Sequence, residues 1–208
     1  MKNIFKDFFS QCARPEGFLG RVMLRFMNFG HAPLTNWGLG HVAFHDGMTM
    51  ADIGCGGGAN IDRLLQRAPK GVIQGIDYSS VSVAKSSKVN AKAIAEGRCK
   101  VQEASVVKLP FSENTFDLVT AFETIYFWPD IEHCFGEVKR VLKPGGQFVI
   151  VNESDGSGPM DAKWESLIEG MHTYKPEEIR LHLSNAGFMG INIRKDEAKH
   201  WLMVTAEK

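Results

Sequence analysis

The fold of this chain follows from one short stretch, Met48-Thr-Met-Ala-Asp-Ile-Gly-Cys-Gly-Gly-Gly58. Its first six residues form an apolar run that predicts a buried strand, and the glycines after it predict a tight turn. A helical pattern follows at once, with apolar side chains at Ile61, Leu64, Leu65 and Ala68. A strand, a glycine turn and a helix in this order are typical of a domain that holds a ligand close to its backbone, because glycine has no Cβ to block the approach.

Short apolar runs and helical patterns alternate from residue 48 to the end of the chain. The runs predict further strands at residues 71–77, 100–104, 116–121, 147–151, 190–194 and 200–205. The periodic patterns predict helices at residues 80–95, 131–142 and 176–187. This alternation is typical of an α/β fold with a doubly wound, mostly parallel, Rossmann-like sheet of seven strands. The last two strands are close enough to add an antiparallel C-terminal hairpin.

Length and composition predict one globular domain with additions. The 208 residues carry 24 basic and 24 acidic side chains, and 44% of the residues are hydrophobic. These proportions argue against a disordered chain and, since phosphate binding needs clustered positive charge, against nucleic acid as the main partner. We expect a core domain at residues 48–208 with an insertion at 152–172. Residues 1–47 lie outside the alternating pattern, and we interpret them as an N-terminal helical lid.

Several other classes of site and location are disfavoured by the sequence. The four cysteines have no Cys-x-x-Cys spacing, and the pair His41 and His45 has no evident third ligand, so we expect no metal. The uncharged segment 26–45 is interrupted by glycine, proline and histidine, which argues against a membrane span. The first residues lack the long apolar core of a signal peptide. We therefore expect a cytoplasmic protein, as a monomer or a homodimer.

The glycine turn and one carboxylate together indicate a nucleoside site. A helix N-terminus after such a turn offers unpaired N–H groups to an anionic group. Asp77 ends the second predicted strand, 19 residues beyond Gly58, where a carboxylate can bind both hydroxyls of a ribose. The alternative is that the glycines only make a tight turn and that Asp77 caps a helix. The two signals in combination favour nucleoside binding.

The motifs as a set resemble class I S-adenosylmethionine-dependent methyltransferases. The glycine stretch looks like the first motif of that family, and three further matches follow in the family's order. These are Gly75-Ile-Asp-Tyr-Ser79, Leu109-Pro-Phe-Ser-Glu-Asn-Thr-Phe-Asp-Leu-Val119 and Leu142-Lys-Pro-Gly-Gly146. The resemblance covers about half of the chain. It implies a Rossmann-like methyltransferase fold and S-adenosylmethionine as the cofactor, with S-adenosylhomocysteine as its product.

The resemblance also implies which residues hold the cofactor. Gly54, Cys55 and Gly56 would line its methionine part, and Asp52 would help to hold the amino group. Asp77 would bind the ribose hydroxyls. The remaining cofactor contacts implied by the family are Tyr78 beside the adenine, Ala104, Ser105 and Val106 at the adenine edge, and Phe122 and Glu123 after the fourth strand.

The acceptor and the catalytic residues are marked less clearly in the sequence. His31, Tyr126 and His172 are candidate catalytic residues, and His31, Trp37 and Tyr126 are candidate acceptor-binding residues. The alternative for each of them is a purely structural role in packing. We expect a small-molecule methyl acceptor. Two alternatives stay open at this point: a nicotinamide-dependent oxidoreductase built on the same glycine turn, and a methyltransferase-like module that binds without catalysis.

Overall fold

A computed structural model describes Gly17 and residues 30–208, so the apolar pattern around residues 18–26 lies outside the described residues. The described part of the chain contains one seven-stranded sheet in the order β3-β2-β1-β4-β5-β7-β6. The strands are β1 (Thr49–Ile53), β2 (Val72–Asp77), β3 (Cys99–Glu103), β4 (Phe116–Phe122), β5 (Leu142–Asn152), β6 (Met189–Asp196) and β7 (Trp201–Glu207). Strands β1 to β5 pair in parallel, and β7 pairs antiparallel with both β5 and β6. The predicted fold is confirmed.

The first described helix precedes the sheet, and the others lie between strands as the alternating pattern predicts. They are α1 (Ala32–Leu39), α2 (Ala59–Arg67), α3 (Ser80–Val89), α4 (Ala91–Ala95), α5 (Ile131–Val141), α6 (Asp161–Leu167) and α7 (Pro176–Asn185). A single 3-10 turn at Ile125–Phe127 follows β4. Helix α6 lies inside the segment 152–172 that we expect to be an insertion.

Two differences from the sequence-based prediction exceed two residues. The helix predicted over residues 80–95 is divided into α3 and α4, because Asn90 leaves the helical conformation and its side chain donates hydrogen bonds to the carbonyl oxygens of Gly58 and Ser86. Strand β5 begins at Leu142 rather than at residue 147. Leu142 already pairs with Phe116, and an irregularity in the register follows before Leu118.

Separate apolar layers cover the two faces of the sheet. Helices α5 and α7 pack on one face, where Phe135 and Phe148 are fully buried. Helices α1 and α2 pack on the other face, where Ile61 and Val149 are fully buried. The side chains of consecutive residues of β5 therefore pack into opposite apolar layers, as the pleat of a strand requires.

The order of the strands determines where a ligand can bind. From β1 the chain winds outward to β3, and it then returns to place β4 on the other side of β1. A crevice opens at the carboxyl ends of the strands where the winding direction reverses. The glycine turn after β1 and the residues after β4 both lie at this edge.

Helix α1 packs directly on the sheet. Its residues Leu34 and Leu39 are buried, and a Cβ added at Gly38 would lie 2.7 Å from the Cγ2 atom of Val151 in β5. The Thr35 hydroxyl donates a hydrogen bond to the side-chain oxygen of Asn60 in α2, at 3.1 Å. The described end of the predicted lid is thus anchored at the edge of the glycine turn. None of the helices in the described part of the chain has the length and apolar character needed to cross a membrane.

Candidate functional site

A cavity of about 330 Å³ opens at the carboxyl ends of β1, β2 and β4. It brings together most of the residues that the sequence singles out. Those that line it are His31, Gly54, Cys55, Gly56, Asp77, Tyr78, Ala104, Ser105, Val106, Phe122 and Glu123. A cavity with apolar walls and a few converging polar groups is the usual form of a small-molecule site.

The glycine turn supplies one wall of the cavity through backbone rather than side chains. Gly54, Gly56 and Gly58 have φ values of +74°, +50° and +80°, a region that glycine enters at little cost. A Cβ at Gly54 would lie 2.4 Å from the Cγ2 atom of Thr124, so there is no room for a side chain there. Gly58 is the N-cap residue of α2, and the start of that helix therefore faces the turn.

Asp77 connects the second strand to the glycine turn. One carboxylate oxygen accepts a hydrogen bond from the backbone N–H of Gly56 and the other accepts one from Ser79, both at 2.9 Å. The side chain is almost fully buried, and this loss of solvation raises the pKa of Asp77 above its ordinary value. The carboxylate thus stands at the cavity wall and also holds the turn in place.

Asp52 lies behind the cavity rather than on its lining. Its Oδ1 atom accepts a hydrogen bond from the Thr120 hydroxyl at 2.8 Å. Its Oδ2 atom is buried and has no hydrogen-bond partner among the described residues. Burial raises the pKa of Asp52 from 3.8 to about 7, with a smaller contribution from the charge of Asp77. An unpaired buried carboxylate oxygen is costly, so it points to a group that completes its hydrogen bonding.

Glu123 lines the cavity directly after β4, which lies on the other side of β1 from the strand of Asp77. Its backbone has a φ of +59°, which is uncommon for a residue with a side chain. Its Oε1 atom accepts hydrogen bonds from the Tyr126 hydroxyl at 3.3 Å and from the backbone N–H of Glu153. Burial, with a smaller contribution from the charge of Glu153, raises the pKa of Glu123 to about 8.

His31 reaches the cavity beside Glu123 from the start of α1. Its Nε2 atom lies 3.7 Å from Oε2 of Glu153. Burial lowers the pKa of His31, and the neighbouring carboxylate of Glu153 opposes this effect. The imidazole is therefore held towards its neutral form.

Besides Asp52, three predicted residues do not line the cavity. Trp37 packs against Trp201 of β7, with ring centroids 5.8 Å apart. Tyr126 lies behind Glu123, and its hydroxyl accepts a hydrogen bond from the backbone N–H of Ser154. His172 donates its backbone N–H to the carbonyl oxygen of Tyr126 at 2.9 Å, while its ring packs on Tyr174. The Tyr126 hydroxyl donates a hydrogen bond to Glu123, a side chain that lines the cavity.

Other site residues were missed by the sequence analysis. Asn60 and Thr124 line the cavity, and Glu153 stands beside His31 and Glu123. Asn60 gives a signal, since it is the second residue of a helix that follows a glycine turn. Thr124 and Glu153 have no local signal, because their importance depends on contacts with residues 70 and 122 positions away.

Comparison with known proteins agrees with this geometry. Residues 51–150 match the family model for a methyltransferase domain. Cycloartenol-C-24-methyltransferase 1 of Oryza sativa is 35% identical over 104 residues, which is 50% of this chain and 30% of that protein. The 27-O-demethylrifamycin SV methyltransferase of Amycolatopsis mediterranei is 31% identical over 56% of this chain and 43% of that protein.

A solved structure extends the likeness of the fold over nearly the whole chain. Phosphoethanolamine N-methyltransferase 2 of Haemonchus contortus, in complex with phosphomonomethylethanolamine and S-adenosylhomocysteine, superimposes with a TM-score of 0.79. It is 18% identical, and the match covers 98% of this chain and 60% of that one. At this identity the likeness shows the fold alone.

The fold and the motifs define a Rossmann-like domain of the methyltransferase type. Residues 51–150 belong to the class I S-adenosylmethionine-dependent methyltransferase family, which confirms the resemblance carried by the motifs. The chain covers less than half of the length of the two curated relatives described above.

Proposed function

We propose that this protein transfers a methyl group from S-adenosylmethionine to a small-molecule acceptor. The observation that carries the proposal is the cavity at the carboxyl ends of β1, β2 and β4, which is lined by the glycine turn and by Asp77. The match to methyltransferases over residues 51–150 supports the cofactor, and the sterol and rifamycin methyltransferases among the relatives support a small acceptor. The oxidoreductase alternative is not favoured, because none of these findings points to it.

The residues at the cavity fit the proposed cofactor. The buried Oδ2 atom of Asp52 lacks a partner, and an ammonium group near the turn would supply one directly or through water. Asp77 lines the cavity and is the residue that we assign to the ribose hydroxyls. Gly54 lines the cavity with backbone alone, since a Cβ there would collide with Thr124. Tyr78, Ala104, Ser105 and Val106 form the wall that we assign to the adenine.

For methyl transfer, the main contribution required of the protein is to position the acceptor against the methyl group. Bound S-adenosylmethionine supplies an electrophilic methyl group on a sulfonium, and holding the acceptor atom in line with it can provide much of the acceleration. The chain contributes a site shielded from water on one side by the glycine turn. Phe122 and Phe127 add aromatic surface, which attracts a cation.

The assignment of Asp77 is tested by the variant Asp77→Ala. We expect it to weaken binding of S-adenosylhomocysteine by about 1.5–3 kcal/mol, the usual size of hydrogen bonds to a charged group. Isothermal titration calorimetry on the folded variant measures this loss. Asp62→Ala is the control, since Asp62 is an exposed carboxylate of α2 outside the cavity lining. Equal affinity in Asp77→Ala and the wild type would contradict the ribose assignment.

A further inference from the structure

Three ionisable side chains from separate parts of the chain meet at one end of the cavity. They are His31 before α1, Glu123 after β4 and Glu153 after β5. One nitrogen of His31 and one carboxylate oxygen from each glutamate lie within 4.8 Å of one another. The family resemblance implies that Glu123 also contacts the cofactor, but the polar contacts that we propose for the cofactor are supplied by the glycine turn, Asp52 and Asp77.

The cluster runs from the interior to the surface. Glu123 lines the cavity and is largely shielded from solvent, the His31 side chain is 27% exposed, and the Glu153 side chain is 61% exposed. Groups of graded exposure within this distance can pass a proton stepwise between a cavity and bulk water. Such a route is useful only if the reaction in the cavity releases a proton.

Glu123 is held in a fixed orientation at the inner end of the cluster. The Tyr126 hydroxyl and the backbone N–H of Glu153 both donate hydrogen bonds to its Oε1 atom. Its left-handed backbone is the kind of strained conformation that persists where the surrounding structure enforces it, often at functional sites. Burial raises the pKa of Tyr126, so its phenol keeps the proton that it donates.

The geometry points to Glu123 as the base that takes a proton from the methyl acceptor, with His31 and Glu153 as the route by which that proton reaches solvent. The inference rests on the proposed function and extends it to the acceptor. The acceptor then belongs to the class of nucleophiles that must lose a proton, such as a hydroxyl, a phenol or an amine. Acceptors without such a proton, such as a thioether, need no base.

The proposed step is balanced in atoms and charge. As the acceptor atom bonds to the methyl carbon, the carbon–sulfur bond breaks and its electron pair goes to sulfur. The acceptor's proton passes to the ionised carboxylate of Glu123 and leaves through His31 and Glu153 to water. A pKa of about 8 for Glu123 suits this role, because a base near the working pH is both available and strong enough to accept the proton.

The groups that control the ionisation of Glu123 can be varied one at a time. The charge of Glu153 raises the pKa of Glu123, and the Tyr126 hydrogen bond lowers it. His31, which precedes α1, lies next to Glu153 and is the remaining ionisable group of the cluster. Removing the charge in Glu153→Gln should therefore lower the pKa of Glu123. Glu113 is a matched control, since it is exposed and precedes β4 at the opposite edge of the sheet.

The first experiment is a carbon-13 NMR titration of glutamate carboxyls in the full chain saturated with S-adenosylhomocysteine, with Glu123→Gln used for assignment. We expect Glu123 to titrate near pH 8, to shift downward in Glu153→Gln and to stay unchanged in Glu113→Gln. A titration of Glu123 near the ordinary 4.5, unaffected by Glu153→Gln, would overturn the inference.

The second experiment follows labelled methyl transfer from S-adenosylmethionine to a panel of alcohols, phenols, primary amines and dimethyl sulfide. We expect transfer only to proton-bearing acceptors, at a rate that rises with pH to a plateau above about 8. Glu123→Gln should lose this pH dependence and slow the transfer at least about 100-fold. If Glu123 acts as the base, the affinity of this variant for S-adenosylhomocysteine should stay within about threefold, whereas a larger loss would assign Glu123 to the cofactor and overturn the inference. Glu113→Gln should match the wild type.

The two proposals fail in different ways. Lack of binding to S-adenosylhomocysteine would contradict the proposed function. Normal binding with transfer to dimethyl sulfide alone, or with full transfer in Glu123→Gln, would overturn only the inference about the base. If nothing in the panel is methylated, the NMR titration decides whether Glu123 has the ionisation that the inference requires.

Discussion

At the level of single residues, Gly54 shows why the glycine turn tolerates so little change. It combines a positive φ with contact against Thr124, whereas Gly47 has a similar φ of +81° and no atom within 4 Å of an added Cβ. The two positions therefore separate the cost of backbone conformation from the cost of a steric clash.

Gly47→Ala should lower the free energy of unfolding by about 1–2 kcal/mol, the cost of a left-handed conformation for a residue with a side chain. Gly54→Ala should lower it by about 1–3 kcal/mol more, since the methyl group also overlaps Thr124. Urea denaturation of both variants measures the difference. Equal losses would show that the contact with Thr124 relaxes without cost.

The raised pKa of Asp52 predicts that the free energy of unfolding depends on pH. Its pKa is about 7 in the folded state against 3.8 for the ordinary group, so the folded state binds the extra proton between these values. The free energy of unfolding should therefore fall as the pH rises from 4 to 7. The raised pKa values of Asp77 and Glu123 act in the same direction.

Asp52→Asn should remove only the part of this decline that Asp52 causes. Between pH 5 and pH 7 the wild type should lose about 2 kcal/mol relative to the variant, at up to 1.36 kcal/mol for each pH unit. Urea denaturation at the two pH values gives the comparison. A parallel decline in both proteins would mean that Asp52 ionises normally in the folded state.

At the level of secondary structure, Asn90 links the helix break to the glycine turn. Its side chain is buried and donates to the carbonyl oxygens of Gly58 and Ser86, both at 3.0 Å. Asn90→Ala should lower the free energy of unfolding by about 1–3 kcal/mol, because two buried carbonyls lose a partner. Lys92→Ala is the control, since Lys92 is exposed in α4 and should change stability by less than about 0.5 kcal/mol. Thermal or urea unfolding that does not separate the two variants would contradict this.

The elements show how far the sequence determines the fold. All seven strands and the apolar faces of α2 and α5 could be predicted, because their periodicity is local. The break at Asn90 could not, since it depends on the carbonyl of Gly58, 32 residues earlier in the chain. The same difference between local patterns and long-range contacts applies to the residues of the site. The turn and Asp77 are visible as a motif, whereas the meeting of His31, Glu123 and Glu153 is produced only by the folded chain.

At the level of the whole molecule, the role of residues 1–47 as a lid is still a proposal. The described end of this segment, α1, buries Leu34 and Leu39 and carries Thr35, which bonds to Asn60. Removing residues 1–44 would expose that apolar surface of the sheet and confuse loss of stability with loss of the lid. Removing residues 1–29 keeps α1 and His31, so it is the cleaner deletion.

Deletion of residues 1–29 should leave binding of S-adenosylhomocysteine within about threefold and reduce methyl transfer at least about tenfold, because an uncovered acceptor is poorly aligned. Calorimetry and labelled transfer to a metabolite extract measure the two effects. The unfolding temperature of the deletion protein serves as the control for its fold. Full transfer activity in the shortened chain would contradict the lid.

The crossover that opens the crevice also sets the order in which the molecule can assemble. Met50 of β1 pairs with Leu118 of β4, so the central pair of the sheet closes a loop of nearly 70 residues. Until β4 has been synthesised, one long edge of β1 and its apolar flanks have no partner. Parallel pairing over such a distance makes folding slow, and the exposed edge invites association between nascent chains. From the geometry that creates the binding crevice we therefore expect the yield of refolding to fall as the protein concentration rises.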